Sequence, residues 1–338
     1  RSCAARAMRR SHATHRDDEG PYSMRKAIAI RKTQLPARKP TVALALGGGG
    51  ARGLAHILML EALDELGVRP KVIAGTSIGA LFGAAYAAGM TAKQIRAMTE
   101  ETLGTRFELL RQLFAARSNP VQKFLNLLPL RTALLNPEAV IEMVLPSRMP
   151  RRFKGLEIPL RVVATDLGTR STAVLSEGDL AQAVAASIAI PVVFSPVVIG
   201  GRTLVDGGLV NPLPYDLVDG EADITIAIDV GGAVGESDVG PQPSAIGVMM
   251  TSINILEKSI TREKLKYRRP DIYIEVDVDQ FHVLAFHKPD EIMAAAAPAK
   301  QAFRTQLARM LASIEVEAEP PAAATKRRRR LFSRRERA

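Results

Sequence analysis

Two glycine-rich turns, each caught between a short apolar run and a helix-like stretch, constrain this chain more than anything else in it. Residues 41–46 (TVALAL) form an unbroken apolar run, the pattern of a strand buried on both faces. GGGGARG at residues 47–53 breaks the run, and residues 54–66 predict a helix that separates apolar from charged positions before Gly67 stops it. The pattern then repeats. Residues 71–74 (KVIA) predict a second strand, 75–79 (GTSIG) a tight turn, and 80–88 a helix of small residues that can lie close to a sheet. Strand, glycine turn and helix, twice in succession, point to a layered α/β fold.

The remainder continues the alternation. Thr91 and Gln94 have the spacing of a capping box, and Asn136-Pro137-Glu138 is a helix start. Strands are expected at 161–165, 173–175, 192–199, 202–205, 224–230 and 271–276, with Gly200-Gly201 turning a hairpin. Helices are expected at 179–190, 246–266 and 290–314. Residues 103–150, rich in Leu and Phe, predict a helical cap inside one domain spanning 40–314. The stretch 72–92 is uncharged and carries glycines at four-residue spacing, but it is mostly Gly, Ala, Ser and Thr, so a soluble strand and helix account for it better than a membrane span.

Charge decides which partners the chain suits. The formal net charge is +11, yet residues 1–39 carry +8 and residues 326–338 carry +7, which leaves the middle at −4. A nucleic-acid-binding fold is therefore not expected. The ends, 1–39 and 315–338, read as basic, disordered arms able to touch an anionic membrane surface peripherally. Arg9-Arg10 is not followed by an apolar segment, so the expected location is cytoplasmic. Cys3, the single cysteine, excludes an internal disulfide, a thiolate zinc site and a thiol nucleophile in the folded part. No metal or cofactor is expected, and oligomeric state is not legible.

The chemistry concentrates in the turns. Gly75-Thr-Ser-Ile-Gly79 is a G-x-S-x-G elbow that sets Ser77 between strand and helix, at a helix N-terminus where a developing anion is favoured. Gly48-x-Gly50-x-x-Gly53 also fits a dinucleotide fingerprint, but the acid required at the end of the second strand is missing, where Ala74-Gly75-Thr76 stands. The other use of such a loop is to aim bare amides at an oxyanion, which an acyl-transfer serine needs. Arg52 reads either as a neutraliser of nearby negative charge or as a solvated loop arginine. A serine also needs a base. His12 and His15 lie in the N-terminal arm, and His56 follows the glycine loop, where packing or a local hydrogen bond suits it. His282 and His287 keep a Ser-Asp-His esterase open. Asp206, between an apolar strand and Gly207-Gly208, is the better candidate, with Asp166 and Asp229 as competitors.

Taken in order, Gly48-Gly-Gly-Ala-Arg-Gly53, Gly75-Thr-Ser-Ile-Gly79, Ala186-Ser-Ile-Ala-Ile-Pro191 and Asp206-Gly-Gly208 resemble the four signature blocks of bacterial patatin-like phospholipases. The resemblance is clear over residues 41–230 and faint to 314. It implies a three-layer α/β/α sandwich with a mainly parallel central sheet, and a Ser77–Asp206 dyad that works without histidine or metal. It further implies an oxyanion hole from Gly48, Gly49 and Gly50, supported by Arg52, Gly53, Gly75, Gly79, Gly207 and Gly208, and hydrolysis of lipid acyl esters. The competing class is a membrane-surface or regulatory binding protein with a vestigial site.

Overall fold

A computed structural model describes residues 39–106, 135–231 and 245–318. Its strands are β1 (Val42–Leu46), β2 (Val72–Thr76), β3 (Leu160–Asp166), β4 (Ser171–Leu175), β5 (Val197–Ile199), β6 (Arg202–Asp206), β7 (Ile224–Asp229) and β8 (Ile272–Glu275). Its α-helices are α1 (Ala55–Glu65), α2 (Ile78–Ala87), α3 (Ala92–Glu101), α4 (Pro137–Val144), α5 (Leu180–Ser187), α6 (Ala245–Tyr267) and α7 (Pro289–Ala318). One sheet runs β5-β6-β3-β2-β1-β7-β8, with β4 also on β3. The pairs β3-β2, β2-β1, β1-β7 and β7-β8 are parallel, and the β3-β4, β3-β6 and β5-β6 pairs are antiparallel. The sheet is thus mainly parallel and packed on both faces.

The side-chain period of a strand explains the layering. In β1, Val42, Leu44 and Leu46 enter the larger apolar core with α1, α2 and α7, while Ala43 and Ala45 face a smaller core with Leu213, Tyr215 and Val218. Both clusters exclude water from β1, whose five residues are all buried. The uncharged 72–92 stretch divides into β2 and α2, and no helix among the described residues is long and apolar enough to cross a membrane. The Thr91–Gln94 capping box forms, and Asn136 caps α4 with Pro137 in its first turn.

Several boundaries differ from expectation. The strand expected at 192–199 starts only at Val197: Val192 has φ 70°, outside extended space, and Pro196 has no amide to donate. Helix α5 ends at Ser187, short of residue 190. Helix α7 runs to Ala318, into the segment expected to be a tail. The hairpin glycines Gly200 and Gly201 both have positive φ, as a tight turn between twisted strands demands. Of the expected cap, 107–134 lies outside the described residues, as do the basic segments 1–38 and 319–338.

The arrangement of β3 positions the site. Thr76, the last residue of β2, pairs with Val163, and Asp206, the last residue of β6, pairs with the next position, Ala164. Since β4 already occupies the other edge of β3 over residues 162–166, β6 takes the β2 edge beyond the end of β2. The two strands therefore end head to head, and the residues at their ends, Ser77 and Asp206, are forced together.

Candidate active site

Ser77 stands at the N-terminus of α2 with φ 54° and ψ −124°, a strained conformation for a residue with a side chain. Its amide donates to Ser187 Oγ at 2.8 Å, and the Ser187 hydroxyl donates to the Val163 carbonyl at 2.6 Å. The elbow is thereby tied to β3. Ser77 Oγ donates to Asp206 Oδ2 at 2.6 Å, and Asp206 Oδ1 accepts from the Gly208 amide at 2.8 Å. Both side chains are buried. Burial pushes the Asp206 carboxyl up to about 6, against the Ser77 hydroxyl and the Gly208 amide, which favour its charged form.

The glycine loop lies alongside. The Gly48 amide donates to the Pro212 carbonyl at 2.9 Å, so this member of the expected oxyanion trio is already spent. Among the described residues no carbonyl accepts from the Gly49 and Gly50 amides, and both glycines line the cleft at Ser77. Gly50 has φ 56°, and a Cβ there would lie 2.2 Å from the Val283 carbonyl oxygen, so only glycine fits. Gly53, Gly75, Gly79 and Gly207 likewise sit where a Cβ would run into neighbouring atoms. His56 is fully buried and bonded to the Gly47 carbonyl at 2.9 Å through Nε2. A carbonyl only accepts, so Nε2 carries the proton, and burial holds the imidazole down at about 4.

The other predicted residues fall elsewhere. Arg52 is not a solvated loop arginine: it is 4% exposed and donates to the Phe281 and Gly231 carbonyls, both at 2.6 Å. Asp166 caps its own turn through Gly168 and Thr169, and Asp229 accepts from Tyr273 and the Gly231 amide. His282 accepts from the Leu284 amide, while His287 lines the large cavity described next. Neither histidine is hydrogen-bonded to Ser77 or Asp206.

Ser77 opens on two recesses. A cavity of about 640 Å³ is walled by α2 (Ile78, Leu81, Phe82), α3 and the turn after it (Met98, Leu103) and α4 (Val140, Ile141, Val144), and its lining is almost wholly apolar. A cleft of about 40 Å³ lies beside it, lined by the glycine loop, Asp206, and Asn254 and Glu257 of α6. Sequence reasoning passed over Ser187, Asn254 and Glu257. For Ser187 a signal existed, its place in the third signature block. For the two α6 residues there was only their three-residue spacing on a helix. Among the described residues no three His, Cys, Asp or Glu side chains gather in a way that would hold a metal ion.

The family profile for patatin-like phospholipases matches residues 44–219, more than half of the chain. The chain belongs to the patatin-like phospholipase family. An uncharacterized NTE family protein of Mycobacterium bovis is 37% identical over 210 residues, covering 61% of this chain and 52% of that protein. Patatin-like phospholipase domain-containing protein 7 of Rattus norvegicus is 28% identical over 276 residues, covering 74% of this chain and 20% of that one. This patatin-like chain thus spans about half the length of the mycobacterial relative and a fifth of the rat one. Among solved structures, VipD from Legionella pneumophila matches with a TM-score of 0.42 and 16% identity, over 80% of this chain and 67% of that one.

Proposed function

We propose that this chain is a serine acyl-ester hydrolase of the phospholipase or lysophospholipase type, acting through Ser77 and Asp206. The observation that carries the reading is the 2.6 Å hydrogen bond from Ser77 to Asp206 at the mouth of a 640 Å³ apolar cavity. Nucleophile, base and acyl-sized space meet at one atom. Family membership supports a lipid substrate.

In the proposed mechanism, Asp206 accepts the Ser77 proton as Oγ attacks the ester carbonyl, and the Gly49 and Gly50 amides stabilise the oxyanion. The acyl chain lies in the apolar cavity, where each methylene removed from water contributes about 0.8 kcal/mol. Asp206 passes the proton to the departing alcohol, and water then releases the fatty acid by the reverse sequence. A carboxylate is a weak base for an alcohol, so the dyad depends on its short distance and on exclusion of water. Loss of one oxyanion amide costs about 3–4 kcal/mol of transition-state stabilisation. Because the Ser77 hydroxyl already donates its one proton to Asp206, histidine has no part in this reading. The substrate is met at a membrane surface, with the basic ends as peripheral contacts.

Release of fatty acid from long-chain acyl esters of glycerol and of phospholipids, presented in mixed micelles, tests the proposal. Wild type is expected to release fatty acid and Ser77→Ala to release none above background. Equal release by both proteins would overturn it.

A further inference from the structure

The small cleft contains a second carboxyl group that the proposed mechanism leaves unused. Glu257 lies on α6, one turn after Asn254, and both line the cleft with Ser77, Asp206 and the glycine loop. Its Oε1 occupies the place a side chain on Gly208 would take, 2.1 Å from where the Cβ would be, while Asp206 Oδ1 lies 3.1 Å from the same point. The two carboxyl oxygens are therefore within roughly 5 Å of each other, close enough for each charge to be felt by the other. Gly208 thus serves twice, through its amide to Asp206 and through its missing side chain to Glu257.

Charges reach Glu257 from every element around it. Asp206 at the end of β6 and Asp229 at the end of β7 oppose its ionisation, and Arg52 before α1 favours it. Arg52 is held by the Phe281 and Gly231 carbonyls, and Lys258, next on α6, pairs with Asp229 and Glu275. Burial together with the two aspartates pushes the Glu257 carboxyl up to about 8, whereas Asp206 stands at about 6. Two carboxyls with separated values in one cleft suit opposite duties, one as base and one as donor.

We infer that Glu257 is a catalytic hydrogen-bond donor to the leaving-group oxygen, and that with Asn254 it forms a subsite for an uncharged, hydroxyl-bearing alcohol such as a glycerol moiety. The inference rests on the hydrolase reading of Ser77. With the acyl chain in the apolar cavity, the alcohol side of the ester falls in the cleft. As the carbonyl carbon–oxygen bond breaks, the departing oxygen takes the proton that Asp206 removed from Ser77. Glu257 donates a hydrogen bond to that oxygen and keeps its own proton. Its action therefore ends as pH rises through about 8.

The test compares kcat/KM on two esters of one fatty acid, a glycerol monoester and a p-nitrophenyl ester, whose phenolate leaves without help. Glu257→Ala is expected to lose roughly 100-fold on the glycerol ester and little on the nitrophenyl ester. Glu257→Gln, which keeps a donor, is expected to retain the glycerol activity and to lose the decline of wild type near pH 8. Equal losses on both esters with Ser77 still reactive, or an alkaline decline that persists in Glu257→Gln, would overturn the role of Glu257. Inactivity of wild type on both esters would instead bring down the hydrolase reading, and this inference with it.

Discussion

The two recesses that meet at Ser77 differ in size and in the share of polar groups on their walls. The large cavity is walled by α2, α3 and α4 with aliphatic and aromatic side chains, and it offers a guest burial but almost no hydrogen bonds. The small cleft is mixed: the glycine loop, Asp206, Glu257 and Asn254 bring polar groups to it, beside apolar side chains such as Ile190, Leu209, Met250 and Ile253. On the proposed hydrolase reading, this difference would sort an ester at Ser77, its acyl chain to one side and its alcohol to the other. Specificity for the acid and for the alcohol should accordingly be separable by mutation.

The largest expected effect strikes both sides at once. Asp206→Asn preserves shape but removes the proposed base, and hydrolysis of any ester should fall by about 10⁴-fold, read as kcat at saturating substrate. Next, Val144→Trp intrudes on the apolar cavity alone. It should cost long-chain esters roughly 10 to 200-fold in kcat/KM and leave short-chain esters of the same alcohol little affected. A chain-length series measures this, and equal losses across the series would show that the cavity does not hold the acyl chain.

The floor shared by both recesses is the glycine loop, which His56 holds from below. A buried imidazole near 4 with an ordinary value of 6.5 contributes stability that is fully present above 6.5 and is lost as pH falls toward 4. Between pH 7 and pH 5 unfolding by denaturant should lose about 2 kcal/mol from this group, and His56→Gln should flatten that slope. The gentlest effect is kinetic. Asp206 acts only when ionised, so kcat/KM should rise with pH through about 6 and fall roughly tenfold per unit below it. An acid limb lying near 4 would indicate that Asp206 is solvated in the working enzyme.

Legibility divides along the same line as the recesses. The strand, glycine-turn and helix order of residues 41–88 was readable because local chemistry dictates it: apolar runs must be covered, and turns under close packing need glycine. Ser77 and Asp206 were readable as residue types at strand ends. Their pairing came only from the family resemblance and not from local pattern, since it depends on β2 and β6 meeting head to head on one edge of β3. Arg52 stayed open between two readings because the carbonyls that hold it lie far along the chain, at Gly231 and Phe281. Helix α6 hid the small cleft most completely. It turns Asn254, Glu257 and Thr261 inward and leaves Val248, Ile255 and Leu256 at 50%, 45% and 60% exposure. Periodicity assumes that apolar residues face in, and this helix mixes polar with apolar residues on its inner side, with Met250 and Ile253 beside Asn254 and Glu257.

The central claim is that Ser77 is a nucleophile activated by Asp206. A fluorophosphonate probe, with the adduct mapped by peptide mass spectrometry, tests it without any choice of substrate. The account predicts an adduct on Ser77 that is lost in Asp206→Asn and survives replacement of His282 and His287. An adduct on another serine, no adduct at all, or labelling that disappears with the histidines would contradict it.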